Sequence, residues 1–195
     1  ADDVLYARAQ GAPVLALMAP YQINPRCIMV HAESGIRSIE ELRSLTLAMS
    51  QRPAFSHYLR WRFPLDGVTI VPYPGNVTQF LLNQDYAQQA YVFSEPFVAR
   101  QQGAEPRCLL VADIGFNPYA SILITHEELV AAQPDLVRSV VSATVAGWRR
   151  YLTAPDSTNA RIHQLNPEMG LQILAHGAQV SRELVLDEVA RARGL

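Results

Sequence analysis

The sequence contains no lysine, since all sixteen of its basic residues are arginine. Schiff-base chemistry on a lysine amine is therefore excluded. Charged residues make up only 17% of the 195 residues, and they are scattered around a net charge of −2. Because no basic stripe exists, nucleic acid is not an expected partner. No apolar run approaches the length of a membrane span, and no signal peptide is recognisable within these residues.

Motifs for metal, nucleotide and hydrolase chemistry are also missing. The five histidines are dispersed without HxxxH or HExxH spacing, which argues against a zinc site. The patterns GxGxxG, GxxxxGK[ST] and GxSxG do not occur. We therefore predict a protein that is not an enzyme and that holds neither a cofactor nor a metal.

Cysteine is scarce, with Cys27 and Cys108 in the apolar strand-like contexts RCIMV and RCLLV. Their spacing leaves two interpretations open. They are either two buried thiols or a disulfide formed in an oxidising compartment.

Apolar residues make up 49% of the chain, which is enough for one large domain or two small lobes. Extended runs are predicted at 14–19, 27–30, 45–49, 68–73, 91–94, 108–112 and 120–125. Helices are predicted at 2–10, 53–63, 77–83 and from 96 to just before Gly103, with a short helix opened by a capping box at Ser38 and Glu41. Residues 127–193 have a helical period with breaks at Pro134, Pro155, Pro167 and Gly177. The pattern predicts a parallel α/β sheet with extra helices.

Three strand-to-helix junctions carry polar residues: MSQRP (49–53), YPGN (73–76) and FSEP (93–96). Because ligands bind outside the carboxyl ends of parallel strands, we expect all three at one ligand-binding edge of one sheet. The candidate ligand contacts at these junctions are Ser50, Gln51, Arg52, Asn76, Tyr91 and Glu95. For Ser50 to Arg52 and for Glu95, an ordinary helix cap remains the alternative. Tyr21 and Tyr119, each beside a proline, form either a cleft wall or half-buried core.

Several segments resemble periplasmic solute-binding proteins of ABC importers. They include ADDVLYARAQGAPVLALMAPYQINPRCIMV, SGIRSIEELRSLTLAMS and PGNVTQFLLNQDYAQQAYVFSEPFVARQQGAEPRCLLVADIGFNPY. The resemblance is to the SsuA/THI5-like group, which handles sulfonates, nitrate, taurine and thiamine-pyrimidine precursors. It implies an α/β type II periplasmic-binding-protein fold, with two α/β lobes joined by two crossing strands. Residues 1–24 and 119–195 would form an incomplete first lobe, and residues 25–118 the second. YQINPR and GFNPY would be the two crossings.

The pyrimidine-binding branch of that group carries a tyrosine followed four residues later by a glutamate, a spacing that Tyr91 and Glu95 match. The resemblance implies a small nitrogen heterocycle as the ligand, bound in the inter-lobe cleft with Asn117 also in contact. A carboxylate in the cleft would repel a small anion. The chain departs from the group at LRSLT and at QDYAQQAY, where a valine-aspartate-alanine turn is typical.

The resemblance further implies a periplasmic or lipid-anchored extracytoplasmic protein, with its signal segment outside this chain, that delivers ligand to ABC permease subunits in the inner membrane. Two other functions remain open: a small-anion (sulfonate, taurine or nitrate) binding protein, and the ligand-sensing domain of a regulator with the same fold. A pyrimidine synthase with this fold is a weaker alternative, because its cysteine-rich motif is absent.

Overall fold

The computed structural model describes residues 2–186. Its chain divides into two compact units, one formed by Ala1–Asn24 with Pro118–Leu195 and the other by Pro25–Asn117. We call these unit one and unit two. The assignment of these units as the two lobes of a periplasmic-binding fold, with the first lobe incomplete, stays a prediction. The part of the predicted helical region beyond residue 186 lies outside the described residues.

Seven strands and eight helices occur among the described residues. The strands are β1 Val14–Met18, β2 Arg26–His31, β3 Thr46–Ala48, β4 Thr69–Val71, β5 Tyr86–Tyr91, β6 Pro106–Leu110 and β7 Leu123–His126. The helices are α1 Asp2–Ala9, α2 Ala54–Arg62, α3 Thr78–Leu82, α4 Glu95–Gln101, α5 Glu127–Ala132, α6 Pro134–Thr153, α7 Asp156–Leu165 and α8 Leu171–Val185. No described helix is both long and apolar enough to cross a membrane.

Unit two is built on a five-stranded sheet in the order β4-β3-β5-β2-β6. Strands β3, β4 and β5 are parallel, whereas β2 runs antiparallel to both of its neighbours, β5 and β6. The sheet is therefore mixed, and the prediction of a parallel sheet was wrong in this respect. Strand–helix alternation indicates which segments are strands. It does not fix the direction of β2, whose connection to β3 contains only two 3-10 turns instead of a crossover helix.

The sheet of unit two is covered on both faces, which explains why five of the six residues in each of β2 and β5 are buried. Because successive side chains of a strand point to opposite faces, the buried residues form two clusters. One contains Ile28, Leu47, Phe55 and Leu59. The other contains Cys27, Met29, Ala48, Phe80, Ala90 and Ala99. Each fully buried large apolar side chain contributes about 1.5–3 kcal/mol to stability.

Three local predictions were wrong. A strand was expected over 91–94, but β5 ends at Tyr91 and is formed by the end of QDYAQQAY. The two polar residues Gln88 and Gln89 interrupt its apolar pattern, so the pattern did not indicate a strand. Ser38 makes no side-chain capping bond, because the Glu41 N–H donates to the Ser38 backbone carbonyl over 3.2 Å, while Glu41 Oε2 accepts from the Arg37 N–H. Gly177 lies inside α8 because that helix packs along α6 and α7, and this tertiary packing outweighs the low helix propensity of glycine.

Unit one contains a two-stranded antiparallel sheet in which Val14 of β1 faces His126 of β7. Ala120, predicted to start a strand, forms only an isolated bridge with Tyr21. Helices α6, α7 and α8 contact one another, and α8 supplies Leu174, Ala178, Leu184 and Val185 to the buried interior.

Candidate functional site

One edge of the unit two sheet collects the three polar junctions. Because β3, β4 and β5 are parallel and adjacent, their carboxyl ends lie at the same edge. The antiparallel register of β2 adds Arg26, which pairs directly with Tyr91 at the end of β5. The expectation that the junctions share one edge is confirmed. We call this region, with Arg26, Ser50, Tyr73, Tyr91 and Glu95, the carboxyl edge.

Glu95, at the start of α4, accepts three hydrogen bonds from its own chain. The Tyr73 hydroxyl donates to Oε1 over 2.6 Å, and the Tyr91 backbone N–H donates to Oε2 over 2.9 Å. The Ser94 hydroxyl also donates to Oε2. A carboxylate offers about four acceptor positions. Glu95 therefore fixes the turn between β5 and α4 and keeps roughly one acceptor position for another group.

The environment of Tyr73 keeps its hydroxyl a donor. Burial raises the pKa of this phenol far above its ordinary value, and the hydrogen bond to Glu95 and the charge of that carboxylate raise it further. Ionising the phenol would create a partly buried negative charge beside the negatively charged Glu95 carboxylate. Tyr73 thus remains protonated and donates to Glu95 at any physiological pH.

Arg26 lies against an aromatic surface at the same edge. Its guanidinium donates to the Tyr91 hydroxyl over 2.8 Å. The guanidinium carbon is 4.4 Å from the centre of the Phe55 ring and 5.0 Å from the centre of the Tyr91 ring. The Tyr91 and Phe93 rings are parallel, with centres 5.5 Å apart, and Tyr91 is 37% exposed. Parallel rings and a cation of this kind suit a planar ligand that has hydrogen-bond acceptors on its rim.

Ser50 is held at the carboxyl edge by Gln89. The Ser50 N–H donates to Gln89 Oε1 over 2.8 Å, and Gln89 Nε2 donates to the Ser50 hydroxyl over 3.3 Å. Gln51 and Arg52, the next two residues, are exposed. Ser50 is therefore held in place by Gln89, whereas the side chains of Gln51 and Arg52 face solvent.

Asn76 has a structural contact that sequence alone left undetermined. Its Oδ1 accepts from the Thr78 N–H over 3.0 Å, immediately before α3. Asn117, the last residue of unit two, is exposed. A ligand contact by either residue stays a prediction.

The two candidate tyrosines of unit one differ in burial. Tyr21 is 7% exposed, its hydroxyl lies 3.0 Å from Ser181 Oγ, and its ring meets Trp148 edge-on. Tyr119 is 52% exposed. These contacts favour the core interpretation for Tyr21, while a ligand contact by Tyr119 stays a prediction.

Several residues of the carboxyl edge were not among the sequence candidates: Arg26, Tyr73, Phe93, Ser94 and Gln89. Tyr73, Phe93 and Ser94 lie within the junctions YPGN and FSEP, so attention to every polar or aromatic residue there would have found them. Arg26 and Gln89 required the pairing register of β2, β3 and β5, which no local pattern shows. Among the described residues, no group of three or more histidine, cysteine, aspartate or glutamate side chains is arranged to hold a metal ion.

Comparison with solved structures identifies the fold. The aliphatic sulphonate binding protein SsuA from Escherichia coli superimposes with a TM-score of 0.72 at 13% identity, covering 97% of this chain and 64% of that one. The alkanesulfonate-binding protein SsuA from Xanthomonas axonopodis pv. citri, bound to MOPS, gives a TM-score of 0.60 at 14% identity, covering 93% and 64%. The chain therefore has the α/β fold of type II periplasmic binding proteins.

Sequence comparison identifies the family. The riboflavin-binding protein RibY from Chloroflexus aurantiacus is 32% identical over an alignment of 189 residues, and the match covers 93% of this chain and 53% of that protein. The chain thus spans about half the length of this relative. Residues 1–158 match the family described as NMT1/THI5 like. The match covers most of the chain, and the chain belongs to the NMT1/THI5-like family.

Proposed function

We propose that this chain belongs to the solute-binding component of an ABC importer and binds a neutral, planar nitrogen heterocycle at the carboxyl edge of unit two. The observation that carries the proposal is the arrangement around Tyr91. Its exposed ring lies parallel to Phe93 and beneath the Arg26 guanidinium, while its backbone N–H holds the Glu95 carboxylate. An aromatic surface, a fork of donors and a carboxylate acceptor are thus linked through one residue.

The charges at this edge support a ligand without net charge. Arg26 donates to carbonyl or ring-nitrogen acceptors on the rim of a heterocycle, and the remaining acceptor position of Glu95 takes a ring N–H or an amino group. A small anion would gain the Arg26 contact but would meet the Glu95 carboxylate. A neutral ring with both donors and acceptors on its rim satisfies both groups.

The sequence relative narrows the choice of first ligand. The Chloroflexus relative is named as a riboflavin-binding protein. Riboflavin contains a neutral planar heterocycle with an N–H flanked by two carbonyl groups. Aminopyrimidines, which the spacing of Tyr91 and Glu95 suggests, present donors to Glu95 but fewer acceptors to Arg26. We propose riboflavin-like rings first and aminopyrimidines second. An extracytoplasmic location and delivery to permease subunits belong to the same proposal.

Titration of the purified protein with riboflavin, an aminopyrimidine and ethanesulfonate, a small anion, tests the proposal, with affinity measured by calorimetry. We expect riboflavin or the aminopyrimidine to bind and ethanesulfonate to bind at least tenfold more weakly. Arg26→Ala removes the cation and one donor fork, so we expect a loss of roughly tenfold, about 1.4 kcal/mol.

Arg43→Ala is the matched control. Arg43 is exposed and precedes β3, so it lies at the opposite end of the sheet. Removing it should leave affinity unchanged. If ethanesulfonate binds most tightly, or if Arg43→Ala weakens binding as much as Arg26→Ala does, the proposed ligand class is wrong.

A further inference from the structure

The two cysteines of the chain, far apart in sequence, lie beside each other in unit two. In the antiparallel pair of β2 and β6, Cys27 faces Leu110 and Met29 faces Cys108. Cys27 and Cys108 are therefore diagonal neighbours on one face of the sheet, and they belong to the same apolar cluster. Both are free thiols.

The two thiols differ in access. Cys27 is completely buried, whereas Cys108 is partly exposed. Of the two thiols, only Cys108 belongs to a residue with exposed surface, so we expect an external reagent to react there first.

The pKa values of the two thiols also differ, and they favour reaction at Cys108 as well. Interaction with the neighbouring Cys27 thiol and the nearby charge of Arg100 hold the pKa of Cys108 below its ordinary value. Interaction with Cys108 and burial raise the pKa of Cys27. Since the thiolate is the reactive form, the accessible cysteine is also the more nucleophilic one.

We propose that Cys27 and Cys108 form a reversible disulfide when the protein meets an organic disulfide, with Cys108 as the attacking thiol and Cys27 as the resolving thiol. In the first step the Cys108 thiolate attacks one sulfur of the donor. This forms a mixed disulfide and releases one donor thiolate, which takes up a proton. In the second step Cys27 loses its proton and attacks Sγ of Cys108, releasing the second donor thiol. The two cysteines lose two electrons, and the donor is reduced to two thiols.

The strand geometry indicates why the bond would be reversible. Diagonal neighbours in an antiparallel pair have Cα atoms about 7–8 Å apart. Disulfides prefer Cα separations of roughly 4.4–6.8 Å. Closing the bond thus draws β6 toward β2. Bonds formed against such a displacement are the ones that thiol reductants open readily.

Intact mass spectrometry of the native protein after incubation with oxidised glutathione tests this inference. We expect the wild type to lose two hydrogens without retaining glutathione, and dithiothreitol to reverse the change. A stable glutathione adduct on the wild type, a disulfide-linked dimer, or no reaction until the protein is unfolded would overturn it. This measurement needs no variant and does not depend on which ligand the carboxyl edge binds.

Two variants assign the roles of the thiols. Cys27→Ala lacks the resolving thiol, so it should accumulate the glutathione adduct at Cys108. Cys108→Ser leaves only the buried thiol, whose reaction requires local opening of the fold, so its modification should be slower by roughly tenfold or more. Equal modification rates in the two variants would contradict the proposed order of attack.

Discussion

The Tyr73 hydroxyl lies 2.6 Å from Oε1 of Glu95 and donates a hydrogen bond to it, so the residues that follow β4 and β5 are joined at the carboxyl edge. Glu95 also accepts from the Tyr91 backbone N–H, so this one carboxylate connects the ends of β4 and β5, which lie on either side of β3. Glu95 is thus a structural element of the turn whose carboxylate is bonded to the backbone of Tyr91.

Stability at alkaline pH should depend on Tyr73. Its pKa is raised in the folded state, so the folded protein holds this proton more tightly than the unfolded chain does. The resulting stabilisation is complete below the ordinary tyrosine pKa of about 10 and is lost progressively as the pH rises above it. We expect Tyr73→Phe to reduce the fall in urea midpoint between pH 8 and pH 11.

Tyr58→Phe is the control for Tyr73→Phe, because it removes a phenol that donates to a backbone carbonyl, that of Ile114, over 2.7 Å. At pH 8 both variants should lose the contribution of one hydrogen bond, about 0.5–1.5 kcal/mol. An unchanged alkaline response in Tyr73→Phe would show that the Tyr73–Glu95 contact does not carry the effect.

Glu95→Ala should lower both stability and affinity. It leaves the Tyr91 N–H and the Tyr73 hydroxyl without their acceptor, at a cost of about 1–3 kcal/mol. It also removes the proposed acceptor for the ligand. Denaturation and calorimetric titration of the same sample separate the two effects. Glu105→Ala, which removes an exposed carboxylate of the same unit, should change neither stability nor affinity. If Glu95 has only a structural role, Glu95→Ala will lower stability and leave affinity unchanged.

The neighbouring glutamines of β5 offer a matched pair for stability. Both polar side-chain atoms of Gln88 are buried without a hydrogen-bond partner, whereas the Gln89 amide bonds twice to Ser50. We therefore expect Gln88→Met to stabilise the protein by about 1–3 kcal/mol and Gln89→Met to destabilise it by a similar amount. Urea denaturation with equal m-values measures both. A destabilising Gln88→Met would reveal a partner for its amide, such as a buried water.

The interior of unit one should depend on the Tyr21 hydroxyl. Tyr21→Phe leaves the buried Ser181 hydroxyl without this contact, so we expect a loss of about 1–3 kcal/mol. Tyr6→Phe, at a residue that is 61% exposed, should change stability by less than about 0.5 kcal/mol. Thermal unfolding of the two variants checks this difference. Equal stabilities would place the Tyr21 hydroxyl outside the network that stabilises unit one.

Local pattern predicted part of this structure well. Helices α2, α3 and α4, the break at Pro134 and the shared edge of the three junctions follow from capping, proline placement and strand–helix alternation, all of which are encoded by near neighbours in sequence. Strand β5 was misplaced because Gln88 and Gln89 interrupt its apolar pattern. Its extended conformation comes instead from its buried position between β3 and β2.

The contacts between distant residues could not be predicted in the same way. The pairing of Arg26 with Tyr91 and the proximity of Cys27 to Cys108 depend on the antiparallel register of β2, which is set by the whole sheet. Glu95 could be singled out from sequence because its position after a strand is local, and its contact with a ligand stays a prediction. Its three donors were not predicted, because the main one, Tyr73, comes from a separate junction.

Identification of the small molecules that the purified protein carries tests the central claim most directly. Mass spectrometry after denaturation should detect a neutral planar nitrogen heterocycle, a flavin or an aminopyrimidine, in the wild type. The same compound should be depleted in Arg26→Ala and retained in Arg43→Ala. Release of a sulfonate or another small anion, in amounts that Arg26→Ala and Glu95→Ala do not alter, would contradict the proposed ligand and its site.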